Sequence, residues 1–251
     1  MITGEKLKME VTDPMTENSF QDKYLFFSSQ ELIDYFMNNL KEKDIKTQCK
    51  RIFEMARVLL NKKKFKFNQI YSLLIMVRDI RQCSIIKEVL KLYFDEGEYP
   101  IGVLIEIADL EGTADLEIEF SAFKGERLVL NTLESNDTSY FSQGVVIENY
   151  LHSSGISYFD GNRDETDAKN FKQEVKKCLN NLETILNSAG TAMDKVYTFI
   201  VYLKDINNLP LLEEVFSEMD LSRNEVQREV VKVNNLYGNH ELEISCSARL
   251  R

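Results

Sequence analysis

The chain repeats itself once, at a fixed spacing of 126 residues. The segment IEIADLEGTADLEIEFSA ends at Ala122, and the similar segment VKVNNLYGNHELEISCSA ends at Ala248. The same spacing holds without a gap from about residue 24 to residue 122. It relates Leu110 to Leu236, Gly112 to Gly238, Glu117 to Glu243, Asp79 to Asp205, Tyr71 to Tyr197, Glu88 to Glu214, Ser28 to Ser154 and Tyr24 to Tyr150. A repeat in matched hydrophobic register predicts two copies of one domain, residues 1–125 and 127–251.

The second copy predicts the element order β-β-β-α-β-α-β-β. ERLVLNT and SQGVVIENYLHSSG are β-rich, and residues Asp167 to Ala189 carry apolar residues at helical spacing. DKVYTFIVYLKD is typical of a strand buried on both faces, and NLPLLEEVFSEM predicts a shorter helix. Two amphipathic helices need one face of a sheet to cover, so each copy is expected to be an α+β domain. The apolar second face of the sheet predicts contact with another domain.

Composition favours a cytoplasmic protein. The 251 residues carry a net charge of −10, and the N-terminal stretch lacks the apolar core of a signal peptide. No apolar run approaches the length needed to span a bilayer, so no membrane association is expected. The four cysteines are scattered without a CxxC pair, which is typical of reduced thiols inside a cell.

Several classes of partner are disfavoured. The acidic balance opposes a phosphate backbone, and the basic run Asn61–Phe67 is more typical of a solvated helix end than of an RNA patch. His152 and His240 are far apart, and neither has a cysteine or a second histidine at metal-ligand spacing, so no metal site is predicted. Neither GxGxxG nor GxxxxGK[ST] occurs, so no phosphate-binding loop is predicted either.

Three segments of the second copy resemble the RidA/YjgF family of enamine/imine deaminases. They are SYFSQGVVIENYLHSSG, VYTFIVYLKDINNLPLLEEVF and QREVVKVNNLYGNHELEISCSA. The first copy resembles the family more loosely, through YLFFSSQ, IYSLLIMVRDI, IKEVLKLYF and PIGVLIEIADLEGTADLEIEFSA. The resemblance implies two tandem chorismate-mutase-like domains, each with two helices packed on one sheet. It also implies ligand clefts between neighbouring domains and cofactor-independent hydrolysis of reactive imines and enamines to 2-keto acids and ammonia.

The resemblance places the family's substrate-binding arginine at Arg228 and its acidic residue at Glu243. Arginine offers a planar donor fork that suits a carboxylate, and a glutamate can orient water and move protons. If the last strands form a hairpin closed on Tyr237-Gly238, Glu243 lies opposite Lys232 and shares a face with Arg228, roughly 13 Å along the strand. A shift of one residue would place the pair on opposite faces. An Arg and a Glu on a sheet are also typical of surface charges.

Four further residues are implied to bind substrate. Phe141 stands where the family has tyrosine, Ser154-Gly155 match the SG of the family pattern SGQ, and Asn207 matches a pocket asparagine. Each departs from that role or has a simpler explanation. Phe141 lacks the tyrosine hydroxyl that could bind substrate. Ser154-Gly155 are typical of a turn that ends a strand, and Asn207 is typical of a helix start.

The first copy departs from the family pattern. Gly102 stands where the second copy has Arg228, although Glu117 is kept. Residues 13–17, DPMTE, stand where the family pattern has GPYSQ. A glycine has no side chain to bind a carboxylate. The first domain is therefore expected to be inactive in its own cleft, with a structural role or as one wall of a shared cleft.

The predicted function is hydrolysis of small 2-imino and 2-enamino acids in the second domain. The alternatives are a non-catalytic module that binds small carboxylates or acts as a scaffold and, more weakly, an endoribonuclease-like member. A homotrimer is favoured, since three chains supply six domains and fill two three-fold rings. A monomer with a pseudo-dimeric core is the other possibility.

Overall fold

The computed structural model describes residues 22–35, 44–108, 110, 114–133, 140–158, 170–222 and 225–250. Residues 13–17, whose sequence departs from the family motif, lie outside these ranges. Every helix within them is too short or too polar to cross a membrane. The first domain contains the strands β1 (Tyr24–Ser28), β2 (Ile70–Val77), β3 (Ile101–Glu106) and β4 (Leu116–Phe123) and the helices α1 (Ser29–Tyr35), α2 (Ile45–Lys62) and α3 (Cys83–Tyr93).

The second domain follows after a short turn. Its strands are β5 (Arg127–Leu130), β6 (Gly144–Ile147), β7 (Tyr150–Ser153), β8 (Val196–Leu203), β9 (Gln227–Lys232), β10 (Asn235–Leu236) and β11 (Leu242–Arg249). Its helices are α4 (Phe171–Ser188) and α5 (Leu209–Glu218). The expected α+β fold of two tandem domains is confirmed.

Local sequence explains where the long helices begin and end. The side chain of Asn170 accepts a hydrogen bond from the backbone N–H of Gln173, and Asp44 caps α2 in the same way through Thr47. Gly190, with φ 75°, follows the C-terminal end of α4. The apolar stripe of each helix is buried against one face of its sheet, and this produces two separate cores.

The strand order of the second sheet is β5-β6-β7-β11-β8-β9. Strand β9 runs parallel to β8, because helix α5 crosses over the sheet and returns the chain in the same direction. Strand β11 pairs with the other edge of β8. The predicted hairpin between the last strands is therefore wrong: β8 lies between them, and the intervening β10 joins the other sheet.

The two domains share a sheet. The first sheet has the order β1-β4-β2-β3-β10, so the second domain adds its short strand β10 to the first domain. Asn235 pairs with Glu106, and Leu236 with Ile105. The sheet faces away from the helices meet through a buried cluster that includes Val103, Tyr202 and Leu236. This is the predicted contact of the second sheet face with another domain.

Candidate functional site

The predicted site residues lie mostly along one contact between the domains, which we call the interdomain seam. It is formed by β3 and α3 of the first domain against residues 140–143, 153–156, 234–237 and Glu243 of the second. The backbone N–H of Gly155 donates to the carbonyl of Gly102 at 3.2 Å. The N–H of Gly102 donates to the Ser154 hydroxyl at 2.9 Å, and that hydroxyl donates to the carbonyl of Ser142 at 2.5 Å. Ser154 therefore bridges the two domains.

Phe141 fills the space beside Gly102. A Cβ atom at position 102 would lie 2.4 Å from Cε1 of Phe141 and 2.8 Å from the carbonyl oxygen of Leu73. The ring of Phe141 packs against the core of the first domain. Position 102 thus needs a glycine, and the strand has no room there for a cationic side chain.

Glu243 lies in the seam against Gly155. A Cβ atom at position 155 would come within 2.5 Å of Oε2 of Glu243 and 3.1 Å of Cγ2 of Val103. Burial raises the pKa of Glu243 to about 8, and the nearby charge of Lys87 opposes part of that rise. The carboxyl therefore holds a proton at neutral pH, and its pKa lies close to the range that suits general acid–base catalysis.

Lys87 places a positive charge in the seam. The residue is on α3 and is 8% exposed. Its Nζ lies 4.3 Å from the ring centroid of Tyr140 and 3.2 Å from that of Tyr237. Both rings belong to the second domain, so the ammonium group of the first domain is covered by aromatic faces of the other. Burial raises the pKa of the neighbouring Cys83 thiol to about 12, which disfavours a thiolate nucleophile.

Arg228 lies elsewhere, on the outer edge strand β9. Its guanidinium donates to the carboxylate of Glu213 on α5, and its Cζ lies 4.7 Å from the ring centroid of Phe216. The arginine side chain is 19% exposed. Stacking and the charge-assisted hydrogen bond hold the guanidinium on the helix side of the sheet.

The register places Arg228 and Glu243 on opposite faces of the sheet. Glu243 pairs with Tyr202, and Arg228 pairs with Phe199. These two residues are three apart on β8, so their side chains point to opposite faces. The predicted same-face arrangement is therefore wrong. The two strands do not pair with each other; each pairs with β8, and the two registers place Arg228 and Glu243 an odd number of residues apart. Glu243 comes together with Phe141, Ser154 and Gly155, and Arg228 does not join them.

Asn207 occupies the turn that begins α5. Its backbone N–H and its Nδ2 donate to Oδ1 of Asp205, at 3.0 and 2.9 Å. The residue is exposed, and its hydrogen bonds are those of a helix start. Helix α5 also carries Glu213, so this turn precedes the element that holds Arg228.

Sequence reasoning missed Lys87, Glu213 and Tyr237. The repeat itself contained a signal for the first two: its spacing relates Lys87 to Glu213, just as it relates Gly102 to Arg228. The helix position is Glu213 in the second copy and Lys87 in the first, so its charge changes from negative to positive. The strand position changes from Arg228 to Gly102 and loses its positive charge. That exchange can be seen in the sequence, but only the structure shows that the strand and helix positions are in contact, as Arg228 and Glu213 are.

A cavity of about 100 Å³ lies between the sheets, on the faces away from the helices, and adjoins the seam at Gly102, Val103 and Ser153. Its lining is rich in hydroxyl groups and includes Tyr71, Ser121 and Ser245. His152 Nδ1 lies 2.9 Å from the hydroxyl of Ser247, and burial lowers the pKa of His152 to about 4. The described ranges contain no group of three His, Cys, Asp or Glu side chains that could hold a metal ion.

Fold and site together define a class: two tandem α+β domains that share a seam with a partly buried acid. The family model for Endoribonuclease L-PSP matches residues 11–124 and 134–250. The chain belongs to this family, as a tandem member of the RidA/YjgF proteins.

Similar proteins correspond to one domain or to both. A RutC family protein of Saccharolobus solfataricus is 31% identical over 109 residues, which are 43% of this chain and 86% of the relative. The crystal structure of RidA from an Antarctic Psychrobacter is 26% identical, with a TM-score of 0.44. The match covers 49% of this chain and 98% of the RidA chain. The match to a chorismatase structure covers 90% of this chain and 75% of the chorismatase chain, with a TM-score of 0.67 and 12% identity. At that identity the likeness to chorismatase is one of fold alone.

Proposed function

We propose that the protein is a cofactor-independent hydrolase that converts small 2-imino and 2-enamino acids into 2-keto acids and ammonia. Membership of the family supports this activity. The single observation that carries it is Glu243, a carboxyl whose pKa is raised to about 8 by burial in a seam between two domains. Strongly perturbed acids in such positions are typical of proton-transfer sites.

The proposed reaction needs one acid–base group. The carboxyl of Glu243 gives its proton to the imine nitrogen as water adds to the imine carbon. The resulting carboxylate takes a proton from the added water. The reprotonated Glu243 then gives its proton to the amino group of the tetrahedral intermediate. Its carboxylate takes the hydroxyl proton as the C–N bond breaks, ammonia leaves and the C=O bond of the 2-keto acid forms. An enamine enters the same route after its β-carbon is protonated to give the imine.

The proposed role of Arg228 is to bind a substrate carboxylate at the outer edge of the second domain. Its guanidinium already donates a hydrogen bond to one carboxylate, that of Glu213, and is stacked on Phe216. Because Glu243 of the same chain lies on the other face, Arg228 would form a second site apart from the seam, and a neighbouring copy would supply the acid there. This favours a homo-oligomer that covers β9, and a homotrimer is the assembly we propose.

The remaining predicted residues take roles that follow from their positions. Phe141, Ser154 and Gly155 would shape the seam beside Glu243, with Phe141 limiting the space for a substrate side chain. Ser154 would keep the two domains in register through its two hydrogen bonds. Asn207 would act at the outer edge, since it precedes α5, the helix of Glu213.

The test is ammonia release from an imino acid that an amino-acid oxidase generates in situ. We expect the protein to accelerate the release and Glu243→Gln to lower kcat by about 100-fold, within the range of general acid–base catalysis. Glu117→Gln changes the counterpart residue of the first domain and is the matched control, with activity expected to remain. Release no faster than in buffer would overturn the proposal.

A non-catalytic module that binds small carboxylates is the second candidate. The filled space at Gly102 favours it, because the first domain has no strand arginine there. A thermal shift with 2-oxobutanoate in the absence of any ammonia release would support this candidate over the enzyme. Ribonuclease activity is not proposed, since the net charge of −10 opposes RNA binding.

A further inference from the structure

We propose that Lys87 is the carboxylate-binding cation of the interdomain seam, in place of the arginine that position 102 lacks. This inference rests on the proposed function and assigns the seam a substrate-binding residue of its own. Its ligands are small 2-oxo and 2-imino carboxylates with short side chains.

The repeat supplies the first argument. In the second domain the cation is on the strand, at Arg228, and the anion is on the helix, at Glu213. At the corresponding positions of the first domain the strand has Gly102 and the helix has Lys87. The positive charge has moved from strand to helix. Phe141 now occupies the strand position, so the exchange is sterically consistent.

The surroundings of Lys87 supply the second argument. An ammonium group that is 8% exposed has lost most of its water, and contacts within the seam compensate for that loss. The rings of Tyr140 and Tyr237 face it, and Tyr237 is itself 38% exposed. The tyrosine is thus the outer cover of the ammonium group. A carboxylate that displaces this ring exchanges a cation–π contact for a charge-assisted hydrogen bond.

The seam also holds a buried polar group without a partner. The hydroxyl of Ser142 belongs to a residue that is 1% exposed, and it has no hydrogen-bond partner among the described residues. The backbone of Ser142 is engaged, since its N–H donates to the carbonyl of Pro100 and its carbonyl accepts from Ser154. An unpaired buried hydroxyl costs free energy, and a polar ligand in the seam would relieve that cost.

Lys87 and Glu243 then act together. The charge of Lys87 favours the ionised form of Glu243. A bound carboxylate would neutralise that charge, so the substrate itself would strengthen the hold of Glu243 on its proton. The acid would be protonated when an imine nitrogen arrives to receive the proton, and Lys87 would fix the substrate at its other end.

The experiment is calorimetric titration of the full chain with 2-oxobutanoate. We expect Lys87→Met to weaken binding by at least about 10-fold and Lys87→Arg to retain most of it. Lys91→Met is the matched control, because Lys91 is on the same helix, lies 5.3 Å from the Tyr140 ring and pairs with the exposed Glu88. Its binding is expected to stay within about twofold of the wild type.

A ligand-side comparison keeps the test valid if Lys87→Met fails to fold. Unaltered protein should bind 2-oxobutanoate at least about 10-fold more tightly than the uncharged 2-oxobutanamide. Equal binding of acid and amide, or wild-type binding by Lys87→Met, would overturn the inference. If the wild type shows no deaminase activity but binds 2-oxobutanoate, and Lys87→Met loses that binding, the site is supported and the proposed function is rejected. Full activity and full binding in Lys87→Met would support the proposed function and reject Lys87 as the binding residue.

Discussion

Arg228 and Glu243 lie on opposite faces of one sheet, with β8 between their strands. Glu243 faces the first domain across the seam, where Lys87 influences its charge. Arg228 faces its own helix α5, where Glu213 and Phe216 hold it. The two charged residues therefore lie in two different places, Glu243 against the first domain and Arg228 against a helix of its own domain.

The pH dependence of stability should reveal the raised pKa of Glu243. The pKa of Glu243 is about 8 in the folded chain, against an ordinary value of 4.5. Below about pH 4.5 both folded and unfolded chains bind the proton, and no penalty exists. Between about pH 4.5 and about pH 8 only the folded chain keeps it, so the free energy of unfolding falls as pH rises. Glu243→Gln removes this contribution, and urea unfolding from about pH 5 to about pH 9 measures it.

The comparison between variant and wild type isolates Glu243. Burial also raises the pKa of Glu119, to about 7, but that carboxyl is present in both proteins and cancels in the difference. The stability of Glu243→Gln relative to the wild type should grow across the window. A difference that stays constant with pH would contradict the raised pKa.

Gly102 should tolerate no side chain. Gly102→Ala places a Cβ against a backbone oxygen as well as a ring, so the neighbours cannot all move away, and we expect a loss of about 1–3 kcal/mol. Gly144→Ala is the matched control, because its nearest neighbour is a methyl group of Ile185 at 3.1 Å. Chemical denaturation compares the two. Equal stability of both variants would mean that Phe141 does not fill the space at position 102.

Glu174 should be replaceable by glutamine and not by alanine. Its Oε1 accepts hydrogen bonds from the backbone N–H groups of Glu241 and Leu242, where β11 begins. The first domain uses Gln48 at the corresponding position, and it accepts from Asp115 in the same way. Glu174→Gln should therefore keep the fold, whereas Glu174→Ala leaves buried amides unpaired and should cost about 1–3 kcal/mol. Similar unfolding midpoints for both variants would count against this role.

The repeat allowed two α+β domains to be predicted, because a constant spacing forces equivalent residues onto equivalent elements. Gly102 and Arg228 indeed lie on the corresponding strands β3 and β9. The strand order was not predictable in the same way. A hairpin is the local solution for two adjacent strands, whereas the observed order depends on a crossover helix and on Leu236 pairing with Ile105 of the other domain.

The candidate site was predictable only in part. The family resemblance led to Phe141, Ser154, Gly155 and Glu243, and these residues meet in the seam. It placed Arg228 with them because it could not say which domain faces which. Lys87 was hidden, because a lysine on an amphipathic helix is typical of a solvated face and only tertiary contact buries it. The division of the chain at residues 125 and 127 stays a prediction.

The most direct measurement is the titration of Glu243 itself. Carbon-13 NMR of the glutamate side-chain carboxyl groups, with Glu243→Gln used to assign the signal, gives its pKa in the folded chain. We predict a value of about 8, with the carboxyl protonated at neutral pH. A value near the ordinary 4.5 would contradict the account, because the seam would then hold an ionised glutamate with no proton to give.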